Sequence, residues 1–594
     1  MNTIEFARLY NDIVLLSNEE GPRQNILEPK FTARKQMLAL RESLEKSYAE
    51  QMSLTALSQF CRCTIFIGTN MVETEEEQEG VLELCKAYTI TLSGAREELV
   101  ADIAAVEAHS LDSILKNEGP YVEASHGFSF ATEFLRVHNA LGYYLSNRDS
   151  ALRINDAKQV LHVAEKGYTE WDAWFKSQSG GCEMRELPLS TSGSLDYDLI
   201  PATKLQAYVM RYEMDTAFTS TLLFLAQIYT ACQMTATASR YCHRTLYNQL
   251  LNKLEFSRKE WATNALRLSG FFAGYFDYGK ALHCLRAGEC IMPQENPTEE
   301  TRGTVAWSFG RFYLHRLNHY ADVRNGCAPR APLPDELECW WNDFPLDIAP
   351  PEHLPAIVTF EDARACFKEA NNWFTEALKY YVYDGCCTDH IELMRDRARL
   401  YEALIHFETD RERVISMHQR RAALLEQFPN ELNFNAYPTL IRQLLFDLGA
   451  INEEIVELRI RQREEGRDGE KPLKDKGMNA LISATQKFYQ RFCDTWKDPK
   501  TGKVPRVLEE ESRTPYFRAL MRMAQLQLKL SFKLPMEEYK NISSSLEMFD
   551  KAVDFVSANP MEAGVDKEVA LCREMVALLP VKQNDILRVY NRRT

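Results

Sequence analysis

The sequence lacks any hydrophobic run long enough to cross a membrane. No stretch approaches the roughly 18 consecutive apolar residues that a spanning helix needs. Residues 1–20, MNTIEFARLYNDIVLLSNEE, carry acidic side chains where a secretory signal needs a basic region and an unbroken apolar region. We therefore expect a soluble, cytoplasmic protein without membrane insertion.

Basic residues are too few to balance the acidic ones. The 594-residue chain has 85 Asp and Glu residues against 70 Lys and Arg residues, which gives a formal net charge of -15. A negative surface repels phosphate backbones and attracts basic surfaces. The charge balance thus argues against a nucleic-acid partner and favours a basic protein partner.

Patterns that carry nucleotide binding, metal binding or catalysis are also missing. DPKTGK at 498–503 ends like a phosphate-binding loop, but Lys497 stands where that loop needs its first glycine. GCCTDHIE at 385–392 groups potential metal ligands, yet adjacent cysteines cannot readily share one tetrahedral ion. Thr388 and Asp389 are more typical of a helix N-cap. We expect no enzyme, no cofactor and no metal, although spacing leaves a catalytic group assembled in three dimensions open.

The 15 cysteines do not indicate a disulfide framework, because their number is odd and they are scattered. Cys85, Cys242 and Cys572 lie within apolar helical patterns and are predicted to be reduced thiols. The chain also exceeds the length of about 250 to 300 residues that one hydrophobic core supports, which predicts several domains or a repeat array.

The sequence does contain a repeated pattern that predicts pairs of helices. In FLAQIYTACQMTATASRYCHRTL, residues 224–246, small and large apolar residues recur at helical spacing. The pattern resembles the tetratricopeptide repeat L-G-x-x-Y followed by A-x-x-x-F-x-x-A, in which small residues let two antiparallel helices approach closely. Three further degenerate copies follow the same order. The predicted repeat-packing positions are Gly68, Gly80, Gly142, Ala157, Leu225, Ala226, Tyr229, Ala238, Leu268 and Ala281.

Two segments interrupt the helical pattern. Residues 179–201 have the glycine, serine and proline density of a long surface loop, and residues 326–355 contain enough prolines to exclude a continuous helix. No convincing strand pattern occurs in either half. We predict an all-α fold with an N-terminal tetratricopeptide-like array over 1–292, a linker helix over 298–325, a Pro-rich boundary loop over 326–355 and a C-terminal array over 356–594.

Several longer segments resemble one protein family. FLAQIYTACQMTATASRYCHRTLYNQL, EWATNALRLSGFFAGYFDYGKALHCLRAG and TDHIELMRDRARLYEALIHFETDRERVISMHQRRAALLE are similar to segments of the KIF-binding proteins, in the same order. The resemblance implies a right-handed α-solenoid in two halves joined by a linker helix. It also implies a non-catalytic, cytoskeleton-associated protein that binds kinesin motor domains and blocks their attachment to microtubules, which it reaches only through the motor.

The resemblance also places candidate motor-binding residues. They are Phe224 and Gln227 on the LAQ helix, Gln249 at the end of the next helix and Arg267 on the helix after Trp261. Helical spacing turns Gln227 about 200° away from the packing residue Leu225, so its side chain should face a partner. Phe224 is either a binding residue or a residue packed on the neighbouring repeat.

A second function stays open from the sequence. A helical array of this kind also suits a scaffold or a co-chaperone that binds peptide segments of other proteins. That function would be favoured by Lys and Arg side chains lining one groove, and the repeat positions identify no such cluster.

Overall fold

The computed structural model describes residues 3–19, 21–22, 25–47, 53–95, 110–115, 130–147, 151–178, 205–292, 299–327, 340–466, 472–498, 500–561 and 564–593. Over these ranges the chain forms α-helices joined by turns and irregular segments, with no β-strand. The predicted all-α fold is confirmed. The loop predicted over 179–201 lies outside the described residues.

Contacts divide the chain into two compact units. One contains Met1–Glu295 with Ala331–His353, and the other contains Asn296–Arg330 with Leu354–Thr594. The predicted bounds differ from this division in two places. The helix at Glu299–Arg324, expected as a linker, is grouped with the second unit, whereas the later part of the expected boundary loop is grouped with the first.

The first unit is an array of helix pairs. Its described helices are α1 (Thr3–Ser17), α2 (Glu28–Ser47), α3 (Leu54–Glu73), α4 (Glu77–Ala95), α5 (Leu111–Leu115), α6 (Ala131–Ser146), α7 (Ala151–Gln178), α8 (Leu205–Ala231), α9 (Thr235–Leu251), α10 (Arg258–Gly274) and α11 (Tyr278–Ile291). The pairs α3 with α4, α6 with α7, α8 with α9, and α10 with α11 pack as hairpins.

The second unit repeats this arrangement. Its described helices are α12 (Glu299–Arg324), α13 (Phe360–Tyr380), α14 (Cys387–Ile405), α15 (Arg411–Leu425), α16 (Phe428–Glu431), α17 (Pro438–Glu465), α18 (Asp475–Asp494), α19 (Glu510–Leu528), α20 (Pro535–Ala558) and α21 (Asp566–Arg593). Each long helix packs against the next long helix in the chain.

Small residues set the distance between the two helices of a pair. A Cβ atom on Gly68 would lie 2.9 Å from the backbone oxygen of Gly80, and one on Gly142 would lie 2.7 Å from the Leu161 side chain. Any larger residue at either glycine would force the two helices apart. The remaining predicted packing residues are buried, except Tyr229, which is half-buried; they are Ala157, Leu225, Ala226, Ala238, Leu268 and Ala281.

The turns between helices share one geometry. Glu75, Gln233, Lys253 and Phe276 each follow a helix and have positive φ angles of 68°, 60°, 49° and 65°. The next residue donates its N–H back into the helix, as Met234 does to the carbonyl of Tyr229 at 3.0 Å. This left-handed turn satisfies the last carbonyls of the helix and reverses the chain within a few residues.

One feature of the second unit corrects the sequence analysis. The N-cap predicted at Thr388 and Asp389 is wrong, because α14 begins at Cys387 and its N-cap is Cys386, which makes no side-chain cap hydrogen bond. The N–H of His390 already bonds the carbonyl of Cys386 at 2.8 Å, so the helical turn has begun before Thr388. Asp389 lies in the first turn, where its charge complements the helix dipole.

The described residues also bear on disulfides, metal binding and membrane-spanning helices. Each cysteine that the structure describes is a free thiol. Within the same ranges, no group of three His, Cys, Asp or Glu side chains converges on a point where a metal ion could be held. None of the described helices combines the length and apolar character needed to cross a membrane.

A buried ion triad joins three helices of the first unit. The Arg62 guanidinium on α3 bonds Glu133 of α6 at 2.8 Å and Glu213 of α8 at 2.7 Å. Burial raises the pKa of Glu213, but the positive charges of Arg62 and Arg136 outweigh burial and hold that pKa below its usual value. The triad therefore fixes the relative positions of α3, α6 and α8.

We predict that Arg62→Met lowers the free energy of unfolding by about 3 to 5 kcal/mol, because two buried carboxylates lose their shared cation. The matched control is Lys46→Met, since Lys46 pairs with Glu42 in solvent, with 81% and 64% of the two side chains exposed. That change should cost less than about 1 kcal/mol. Urea unfolding measures both, and equal effects would contradict a structural role for the triad.

Candidate functional site

A groove of about 240 Å³ lies along α8 and α10 in the first unit. Its floor is made by the turn between α9 and α10. Trp261 is buried there, and its indole Nε1–H donates to the carbonyl of Leu246 at 3.1 Å. The N–H of Glu255 donates to the Tyr212 hydroxyl of α8 at 3.2 Å. The Trp261 bond joins α10 to α9, and the Glu255 bond holds the turn against α8.

One face of α8 forms the first wall. Thr216, Ser220 and Leu223 line the groove at positions i, i+4 and i+7 of the helix. Leu223 is 40% exposed although it is a large apolar residue. Gln227 is exposed and follows Leu223 by one helical turn, so the same face continues past the end of the groove.

The second wall comes from α10 and the turn that precedes it. Ser257 caps α10 by accepting the N–H of Glu260, and Glu260 and Asn264 line the groove one turn apart. Arg267 is exposed and follows Asn264 at i+3, which places it on the continuation of this wall. The groove therefore has a mixed lining, in which polar side chains alternate with the exposed Leu223 and the half-buried Phe256.

Acidic side chains give the groove its charge. Glu255 and Glu260 both line it, and its lining includes no Lys or Arg side chain. Because both carboxylates lie in one concave region, their fields add and favour a positively charged group of a partner.

The four candidate residues from the sequence have different surroundings. Gln249 lines the groove, and Gln227 and Arg267 lie on the continuations of its two walls. Phe224 is half-buried, packs against the core of the unit and lies 5.8 Å from the Tyr143 ring of α6. Gln227, Gln249 and Arg267 therefore belong to one surface, whereas Phe224 contacts the neighbouring repeat.

Sequence reasoning missed the residues that shape the groove. Leu223 has a signal in the sequence, because it is a large apolar residue outside the buried stripe of Leu222, Leu225 and Ala226. Glu255 and Glu260 have no such signal in the sequence, because they line the groove only when the α9–α10 turn folds back on α8.

Comparison with known proteins identifies the family. A family model described as "KIF-1 binding protein C terminal" matches residues 351–586. A KIF-binding protein of Danio rerio is 30% identical over 501 residues, which cover 76% of each chain. The chain belongs to the KIF-binding protein family.

Other members agree with this assignment. The KIF-binding protein of Homo sapiens is 28% identical to this chain over 491 residues. The match covers 75% of this chain and 76% of the human chain. The cryo-EM structure of a protein named KIFBP matches over 100% of both chains with a TM-score of 0.57 and 20% identity. At that identity the likeness shows the fold, which is an all-α solenoid.

We predict that Phe224→Ala lowers the free energy of unfolding by about 1 to 2 kcal/mol, because the ring packs against Tyr143 and the core. Gln227→Ala should change it by less than about 0.5 kcal/mol, since that side chain is exposed. Urea unfolding of both variants tests the assignment of Phe224 to the packed interface. Equal midpoints for Phe224→Ala and the unmodified protein would contradict it.

Proposed function

We propose that this family member binds kinesin motor domains through the groove along α8 and α10 and keeps the bound motor off microtubules. The observation that carries the proposal is an open, acid-lined groove with an exposed leucine in a chain whose relatives are named KIF-binding proteins. No catalysis, cofactor or direct microtubule contact is part of the proposal.

The chemistry of the groove supports this partner. A motor domain meets the acidic microtubule surface with a basic face, and Glu255 and Glu260 offer the complementary charge. Leu223 lines the same groove and offers an exposed apolar contact. A motor whose basic face is covered by this groove cannot present that face to a microtubule. We place the protein in the cytoplasm, with the cytoskeleton reached through the motor.

The alternative of a scaffold or co-chaperone that binds other peptides finds less support. Such a function needs Lys and Arg side chains that hold a peptide carboxylate. The groove has acidic lining residues instead. The proposed motor-binding function therefore accounts for the charge of the site, and the scaffold function does not.

We predict that Leu223→Ala weakens binding of a purified kinesin motor domain about tenfold, since a central apolar contact is worth about 1 to 2 kcal/mol. Leu251→Ala is the matched control, because Leu251 is 47% exposed and lies outside the groove lining. Isothermal titration calorimetry measures both affinities.

The affinity measurement and a co-sedimentation assay can each contradict the proposal. Unchanged affinity for Leu223→Ala, or the same loss for Leu251→Ala, would contradict the assignment of the groove. In a microtubule co-sedimentation assay, the unmodified protein should leave the motor in the supernatant. Joint sedimentation of motor, microtubules and this protein would overturn the proposed block.

We predict that association with the motor slows as salt rises, because ions screen the groove carboxylates. The association rate should fall at least about threefold between 0.01 and 0.15 M salt. Replacing Glu255 and Glu260 together by Gln should remove most of that dependence. The control pair is Glu510 and Glu511, which are exposed at the start of α19 in the second unit. Stopped-flow kinetics give the rates, and a salt dependence unchanged by the groove substitutions would contradict charge steering.

A further inference from the structure

A segment without regular secondary structure occupies a groove on α9, α10 and α11. We call residues 340–353, WWNDFPLDIAPPEH, the strap. The strap contains no helix or strand and is grouped with the first unit, although α12, which precedes it in the chain, is grouped with the second. It meets the helices of the first unit as an irregular segment with tight bends, in which the N–H groups of Leu346 and Ile348 donate to the carbonyls of Phe344 and Leu346 at 2.7 and 2.9 Å.

Two buried histidines hold the backbone of the strap. His243 of α9 contacts the carbonyl of Asn342 through Nε2 at 2.9 Å. His283 of α11 accepts the N–H of Phe344 at Nε2, at 3.2 Å, and contacts the carbonyl of Ala349 through Nδ1 at 3.0 Å. The neutral ring of His283 with its proton on Nδ1 satisfies both bonds. Burial lowers the pKa of His243 to about 4, so the His243 ring is neutral at pH 7.

Two aromatic side chains of the strap enter the groove. Phe344 is 3% exposed, and its ring lies 5.3 Å from Trp261 and 5.7 Å from His283. Trp340 is buried and lies 5.0 Å from His243 and 5.9 Å from Phe272. The half-buried Trp341 is a third contact, since its ring lies 4.4 Å from His243, 5.0 Å from Phe272 and 5.8 Å from His283.

The far end of the strap depends on a glycine. A Cβ atom on Gly279 of α11 would lie 2.7 Å from the backbone oxygen of Glu352. Any other residue at this position would push the strap away. The side chains of Asn342, Asp343 and Asp347 are exposed. The groove thus contacts backbone groups and three aromatic rings of the strap.

Backbone hydrogen bonds combined with contacts to a few side chains are a means by which proteins recognise peptide segments. We propose that the groove on α9–α11 is a peptide-binding site that the strap occupies as a ligand in cis. Its ligand class is a bent peptide segment that carries aromatic residues in the places of Trp340, Trp341 and Phe344. The two proposed sites share Trp261, which lines the α8–α10 groove and packs against Phe344, but the acidic residues of that groove are not part of the strap site.

The test uses the full chain with Trp340→Ala and Phe344→Ala as host. A fluorescently labelled synthetic peptide of residues 340–353 should bind this host in trans, and it should bind the unmodified chain at least about tenfold more weakly because the site is already occupied. Fluorescence anisotropy measures binding, and circular dichroism checks that the host keeps its helices.

Matched peptides and one host variant define the specificity. A peptide with Asn342→Ala should bind as well as the original, since His243 contacts only the backbone oxygen there. A peptide with Trp340, Trp341 and Phe344 all replaced by Ala should bind at least about tenfold more weakly. Adding Gly279→Val to the host should also weaken binding by at least about tenfold, because the new side chain meets the backbone of the peptide.

Three results would overturn the proposal. The first is a folded host that does not bind the peptide, and the second is equal binding of the peptide without aromatic residues. The third is a host that unfolds when the two aromatic side chains are removed, because the strap would then be part of the core and not a ligand.

Discussion

The close approach of the two helices within each hairpin decides which side chains of the first unit remain for a partner. Gly68 and Gly80 allow backbones to touch, and Gly142 accepts the Leu161 side chain against its Cα. Neighbouring pairs then cover further faces, so that α8, which packs against α6, α7 and α9, keeps only one open face. On α8 that open face carries Leu223 and Gln227.

The buried triad and the turn between α9 and α10 convert this open face into a defined groove. Arg62 holds α6 and α8 to α3 by its bonds to Glu133 and Glu213. The bond from the N–H of Glu255 to Tyr212 holds the α9–α10 turn against α8 and brings Glu255 to the groove. The groove is thus a consequence of contacts between residues that are far apart in sequence, and its acidic character follows from the turn as much as from α10.

The sequence predicts the local part of this structure and not the part that depends on long-range contacts. Periodicity identifies the hairpins and the buried positions Leu225 and Leu268, because a helix pair encodes its packing within about forty residues. Periodicity does not predict that residues 340–353 pack on α9–α11. That placement depends on hydrogen bonds from His243 and His283, which look like ordinary helical residues in the sequence. The predicted N-cap at Thr388 is wrong for a similar reason, because the preceding turn already starts the helix at Cys387.

The most direct test of the account is hydrogen–deuterium exchange of the full chain with and without a purified kinesin motor domain. If the motor occupies the acidic groove, the backbone amides of residues 216–227 and 254–267 should exchange more slowly in the complex. Helices of the second unit whose conformation does not change on motor binding should exchange at the same rate in both samples. Protection confined to other helices, with the amides of α8 and α10 unchanged, would contradict the placement of the motor in this groove.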